Sequence, residues 1–142
     1  MSSLARSRAE FQRLAETRLA EAKFLLGGGM WDGAYYLAGY AIECALKACI
    51  AKQMKAEEFP DKDFAVKSYT HDLDALVVHA GLKDARTDAS RLDPVLSTNW
   101  VIVREWSEAK RYHWVPENEA RAFLLATEDP VHGVLTWAKT HW

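Results

Sequence analysis

The chain has 142 residues and a mass of 16.1 kDa, with 49% apolar and 27% charged side chains. That is the size and mixture of one folded domain, taken as residues 1–142, and it excludes an intrinsically disordered chain. Eighteen basic against twenty acidic residues leave a net charge of −2, which excludes the strongly basic face of a non-specific duplex-DNA binder while leaving room for a local basic site.

The first periodic segment spans residues 4–26. Phe11, Leu14, Ala15, Leu19, Ala22, Leu25 and Leu26 recur at helical spacing and form one stripe. Ser2 or Ser3 is placed to cap its start, and Gly27, Gly28 and Gly29 end it. Arg6, Arg8, Arg13 and Arg18 give it a weakly basic surface, read as a solvated face. The triple glycine follows a helix, not a strand, and no Gly-Lys-Ser/Thr comes after it, so it reads as a turn and not as a phosphate loop. The segment begins in a charged stretch with no apolar core, which is not the pattern of a signal peptide.

The second segment, residues 31–52, carries Trp31, Ala34, Tyr35, Ala38, Ala41, Ile42, Ala45, Leu46 and Cys49 on one wide apolar face. Its alanines admit a neighbouring helix at close range. Cys44 and Cys49 are five apart, so a helix puts them on different faces, where neither a disulfide nor a shared metal is expected. Free thiols fit a reducing compartment, and no apolar run approaches the roughly 18 residues of a membrane span, so the expected location is the cytoplasm.

Residues 55–70, charge-rich and holding Pro60, read as a linker. A short helix follows, with Thr70 as cap, Leu73, Leu76 and Val77 turned inward and Gly81 as its stop. Asp93-Pro94 opens the next helix, the acid capping and the proline taking the first position. Val95, Leu96, Trp100, Val103 and Trp106 fit its period. The run 100–103 would also suit a strand, but no second strand is available to pair with it. The last segment starts at Pro116-Glu117 and carries Ala120, Phe123, Leu124, Val131, Val134, Leu135 and Ala138. Pro130 should kink it or split it after Thr127. Four long amphipathic helices and one short one predict an all-α, up-and-down four-helix bundle with one additional short helix.

Few residues suggest chemistry. His71 and His79 stand eight apart, whereas a helical metal pair wants four, so no metal is predicted and His71 is placed beside the helix cap. No nucleophile elbow is present, and neither cysteine has an activating setting. Glu43 interrupts the apolar second helix four residues before Lys47. The two make either a surface ion pair or a carboxylate aimed into the bundle or at a dimer partner. The densest polar-aromatic stretch is 104–114, with Arg104, Lys110 and Arg111 beside Trp106, Tyr112, Trp114 and His113. Guanidinium groups grip phosphate and aromatic faces stack on bases, so a nucleotide or single-stranded RNA is expected there. The alternative is a helix end with its tryptophans in the core and its charges solvated.

Three elements resemble the HEPN domain family, in family order. Residues 34–48, with Glu43 and Lys47 as a Glu-x-x-x-Lys, resemble its small-residue-rich second helix. Thr70-His71-Asp72-Leu73 with Leu76 resembles the start of its short helix. Arg111-Tyr112, followed by Glu119-Ala120, resembles the element before its last helix. The resemblance implies a helical bundle that commonly dimerises and binds nucleotide or RNA, in toxin-antitoxin, defence or nucleotidyltransferase-associated systems. Many members are metal-independent ribonucleases with an Arg, four to six residues, then a His. Here none of the nine arginines has a histidine at that spacing, and the nearest approach is Arg104 to His113. The resemblance therefore points to the branch without that motif.

The combined expectation is a HEPN-like binding module and homodimer without cofactor or metal. Its contacts are Glu43, Lys47, Lys110, Arg111 and Tyr112. A divergent ribonuclease would use Arg104, Arg111 and His113 instead. A pure interaction protein would use the alanine-rich and aromatic faces to dimerise or to hold a partner encoded nearby. Neither membrane nor duplex DNA is an expected partner.

Overall fold

A computed structural model describes residues 6–54 and 61–142, and every regular element among them is helical. The elements are α1 (Arg8–Gly27), α2 (Trp31–Gln53), α3 (Lys62–Lys67), α4 (Leu73–His79), α5 (Lys83–Leu92), α6 (Pro94–Arg104), a 3-10 turn (Glu108–Tyr112), α7 (Glu117–Glu128) and α8 (Val134–Lys139).

The side chain of Ser7 caps α1 by accepting the Glu10 N–H at 3.1 Å. The cap expected at Ser2 or Ser3 lies outside the described residues. Gly29 and Gly81, at φ +78° and +73°, make the turns that follow α1 and α4, a backbone region that costs glycine nothing. In α2 the alanines 34, 38, 41, 45 and 48 are fully buried, and Tyr35 packs on Phe123 of α7 with ring centroids 4.4 Å apart.

Contacts along the helices fix their directions. Lys23 pairs with Glu128 at 3.3 Å, Glu16 with Lys139, and Arg8 with the Trp142 carbonyl, so α1 runs antiparallel to α7 and α8. Tyr35 meets Phe123 and Cys49 approaches the Ala138 carbonyl, so α2 runs parallel to them. Trp100 meets Trp137, while Trp106 lies against Tyr36, so α6 runs opposite to α2. The sequence α1, α2, α6, α7–α8 is the expected up-and-down bundle, with α3, α4 and α5 inserted between its second and third members.

Four details differ from the sequence reading. The stretch read as a linker contains α3, whose cap Asp61 accepts from the Phe64 N–H at 2.8 Å. Phe64 then packs on His79 at 4.2 Å. The helix α5 was not anticipated, because it buries no residue outright and its apolar face is short and made mostly of alanine. Asp72, not Thr70, caps α4, accepting from Ala75 at 3.1 Å, while the Thr70 hydroxyl accepts from the Asp72 N–H at 3.2 Å. Trp106 falls beyond the end of α6 yet is buried, its indole N–H donating to the Tyr36 carbonyl at 3.2 Å. Gly39 makes room for it, since a Cβ at that position would overlap the indole ring.

Other expectations stand as drawn. Asp93 caps α6 by accepting from Val95 and Leu96 at 3.1 Å each, with Pro94 first. The last segment splits around Pro130 into α7 and α8, and Asp129 ties the break by accepting from Val131 at 2.9 Å and His132 at 2.7 Å. Among the described residues no helix is long and apolar enough to cross a membrane.

Candidate functional site

The site starts from the charge that α2 buries. Glu43 sits on a helix otherwise lined with apolar side chains and is only 2% exposed. A carboxylate removed from water must be paired. One oxygen lies 3.4 Å from the Lys47 ammonium, one turn further along α2. The other lies 2.8 Å from His71 Nδ1, at the entry to α4. The opposite ring nitrogen, Nε2, is 3.2 Å from a Glu108 carboxylate oxygen on the 3-10 turn. The second oxygen of Glu108 stands 3.5 Å from the Arg111 guanidinium. Lys47, Glu43, His71, Glu108 and Arg111 thus form an alternating chain from the bundle interior to its surface.

Aromatic rings wall this chain. Tyr40 lies 6.4 Å from the His71 ring and 6.1 Å from Trp106, and Tyr36 lies 5.4 Å from Tyr40. Burial, and then the nearby Glu43 carboxylate, push the Tyr40 phenol up to about 12. Beside the rings opens a cleft of about 510 Å³ lined by His71, Asp74, Arg104, Ser107 and Glu108. On its far wall Arg104 Nε is 3.4 Å from Asp74, which also accepts from Arg86.

Beyond the cleft the chain turns outward. The Arg111 guanidinium stacks 4.8 Å from the Tyr112 ring centroid. The Tyr112 phenol, first, and more weakly Tyr36 and Glu108 raise the Arg111 pKa above its ordinary value. Tyr112 and His113 are exposed, and Trp114 is 94% exposed. Immediately after it the Val115 N–H is pinned by the Asp32 carboxylate at the start of α2. The strip is therefore fixed at both ends, by Glu108 on His71 and by Val115 on Asp32, with its aromatic faces turned to solvent.

Glu43, Lys47 and Arg111 are joined into one network, and Tyr112 lies under Arg111. Lys110 is carried on the same 3-10 turn. Arg104 is engaged on the opposite side of the cleft, and His113 points outward after the turn, so neither joins the chain that ends in Arg111. Sequence reading placed His71 in the motif that opens the short helix but counted neither it nor Glu108, the two connecting residues, among the contacts. A spacing rule for metals passes over a histidine whose partner is 28 residues away on another helix. Among the described residues no group of three or more His, Cys, Asp or Glu side chains is arranged to hold a metal ion. Cys44 and Cys49 are buried free thiols, pushed up to about 11 by burial.

A family model for the HEPN domain matches residues 9–98, which take in Glu43, Lys47 and His71. No curated protein and no solved structure matches the chain.

Proposed function

Because the chain belongs to the HEPN domain family, we propose that it is a non-catalytic module that binds nucleotides or single-stranded RNA through the strip from Lys110 to Trp114. The observation that carries this reading is the arrangement of Arg111 over Tyr112, next to an almost fully exposed Trp114. Guanidinium groups grip phosphate oxygens with paired donors, and exposed rings stack on bases whatever their sequence. Glu43 and Lys47 act behind this surface: Glu43, paired with Lys47, holds His71, and His71 holds the carboxylate that faces Arg111.

The absence of catalysis is supported by the sequence: none of the nine arginines is followed by a histidine at the spacing of the family's ribonuclease motif. A homodimer, and a role beside a neighbouring protein in a toxin-antitoxin, defence or nucleotidyltransferase-associated system, belong to the same proposal.

The test uses end-labelled single-stranded RNA on native and denaturing gels. The expected result is a shift without cleavage, weakened about tenfold or more in Arg111→Ala, as for the loss of a charge-assisted contact. Unchanged affinity in a folded Arg111→Ala protein removes that residue from the site. Cleavage in metal-free buffer that His113→Ala abolishes would make the protein a ribonuclease using Arg104 or Arg111 with His113. Neither shift nor cleavage would favour a purely protein-binding role.

A further inference from the structure

Arg104 belongs to two clefts. One is the His71 cleft; the other, of about 270 Å³, lies between α5 and α6 and is lined by Arg86, Ser90, Ser97 and Trp100 as well. Arg86, Arg104, Ser90 and Ser97 bring two guanidinium groups and two hydroxyls to it as donors. Asp74 bridges the two arginines, one to each oxygen, so it spaces the cations while neutralising only one of them. The Arg86 side chain is only 15% exposed and lies over the Trp100 ring, 4.9 Å from its centroid, which fixes its planar donor set. Trp100 is 3% exposed, and its Nε1 has no hydrogen-bond partner among the described residues. That N–H is closed off from solvent, so Trp100 serves the cleft as the platform under the Arg86 guanidinium and not as a donor to it.

We propose that this second cleft is a phosphate-binding site, and that its ligand is the terminal phosphate of a phosphomonoester. The residual positive charge and the donors call for a compact anion rich in acceptor oxygens. The volume falls below that of ordinary small-molecule pockets, which suits a phosphate group alone and not a nucleoside. The rest of the ligand leaves past Arg104, the residue shared with the His71 cleft, and runs toward Tyr112 and Trp114. That last step, which makes the ester a nucleotide or an RNA end, rests on the RNA-binding reading. The phosphate site stands on its own residues.

The experiment follows the indole N–H signals by two-dimensional NMR, with the Trp100 signal assigned from its loss in Trp100→Phe. Inorganic phosphate is added at constant ionic strength, with chloride as control. A saturable movement of the Trp100 signal is expected, and it should vanish in Arg86→Gln. Should that variant unfold, because its guanidinium packs on Trp100, Ser97→Asp carries the same test. It places a carboxylate where the phosphate would sit, on a half-buried helix position. A Trp100 signal that ignores phosphate, or that responds equally in Ser97→Asp, overturns the site. The second arm compares 5′- or 3′-phosphorylated with unphosphorylated single-stranded oligonucleotides. A preference of about tenfold for one phosphorylated end is expected. Equal affinity for all ends would refute the terminal-phosphate assignment. Binding of no oligonucleotide, with the Trp100 response intact, would refute the RNA reading and leave a site for some other phosphomonoester.

Discussion

Glu43 and Trp114 break the ordinary partition of side chains in opposite directions. One is a carboxylate at 2% exposure, the other an indole at 94%. The carboxylate is answered within the chain, by Lys47 on one oxygen and His71 on the other. The indole is answered by no ring or charge among the described residues. A buried charge with partners is architecture: it sets where α4 and the 3-10 turn stand. An exposed ring on a pinned strip is a contact surface whose other half belongs to another molecule. The two regions should therefore respond differently to mutation, the first through stability and the second through binding.

The largest expected effect tests how firmly the strip is anchored. Trp106 and Trp114 are eight residues apart, yet the first is buried against Gly39 and the second is in solvent. Gly39→Ala places a methyl group inside the Trp106 ring and breaks its hydrogen bond to the Tyr36 carbonyl. A loss of about 3 kcal/mol, the upper range for overpacking, is expected in urea denaturation. A loss under about 1 kcal/mol would mean that Trp106 gives way easily and that the strip is not held by it.

Next comes Glu43→Gln, which keeps the shape and removes the charge. Breaking a buried ion pair costs about 3–5 kcal/mol, but Lys47 and His71 retain some solvent, so about 2 kcal/mol is expected here. The double variant Glu43→Gln with Lys47→Met should recover much of that loss, because the unpaired ammonium goes too. If the single and double variants are equally unstable, the stabilising contact is the one to His71 and not the one to Lys47.

His132 offers a second histidine held by a carboxylate, far from the strip. Its Nδ1 lies 2.7 Å from Asp93, whose other oxygen caps α6. The hydrogen bond to Asp93 raises the His132 pKa above 6.5, and the same bond lowers that of Asp93 below 3.8. The histidine's contribution is therefore full below pH 6.5 and fades as pH rises through its folded pKa. That of Asp93 is full above pH 3.8 and fades as pH falls through its depressed folded pKa. Urea midpoints taken across pH should show both arms. Asp93→Asn keeps the cap and should flatten the upper one; an unchanged upper arm would assign it to another group.

These cases show what the sequence carried. The period of α2, the Asp93-Pro94 start and the Pro130 break were readable because propensity, capping and proline sterics act within a few residues. The helices α3 and α5 were not, since neither buries a residue outright and periodicity needs a buried stripe to show. The contacts of α5 are made to other elements: Ala89 packs against the core and Arg86 lies over Trp100 on the next helix. Trp106 was read at helical spacing because its burial imitates a helix face, although the helix stops at Arg104. At the site, Glu43, Lys47, Arg111 and Tyr112 stood out as charges or rings in unusual company. The linking role of His71 and Glu108 did not, because it lies in a pair of contacts made across the bundle.

The smallest effect on stability is expected where the effect on binding is large. Trp114→Ala removes a ring that touches solvent almost everywhere, so folding free energy should change by no more than about 0.5 kcal/mol. Affinity for single-stranded RNA should fall, since one base–ring stack is worth about 1–3 kcal/mol, or roughly 5- to 150-fold. Fluorescence-monitored unfolding and a gel-shift titration measure the two quantities on one sample. A folding loss well beyond that limit would show that Trp114 is covered in solution. If the melting temperature of the wild-type protein then rose with its concentration, the cover would be a second copy of the chain. The strip would in that case be a dimer interface, and the contrast with Glu43 would become one between two kinds of burial.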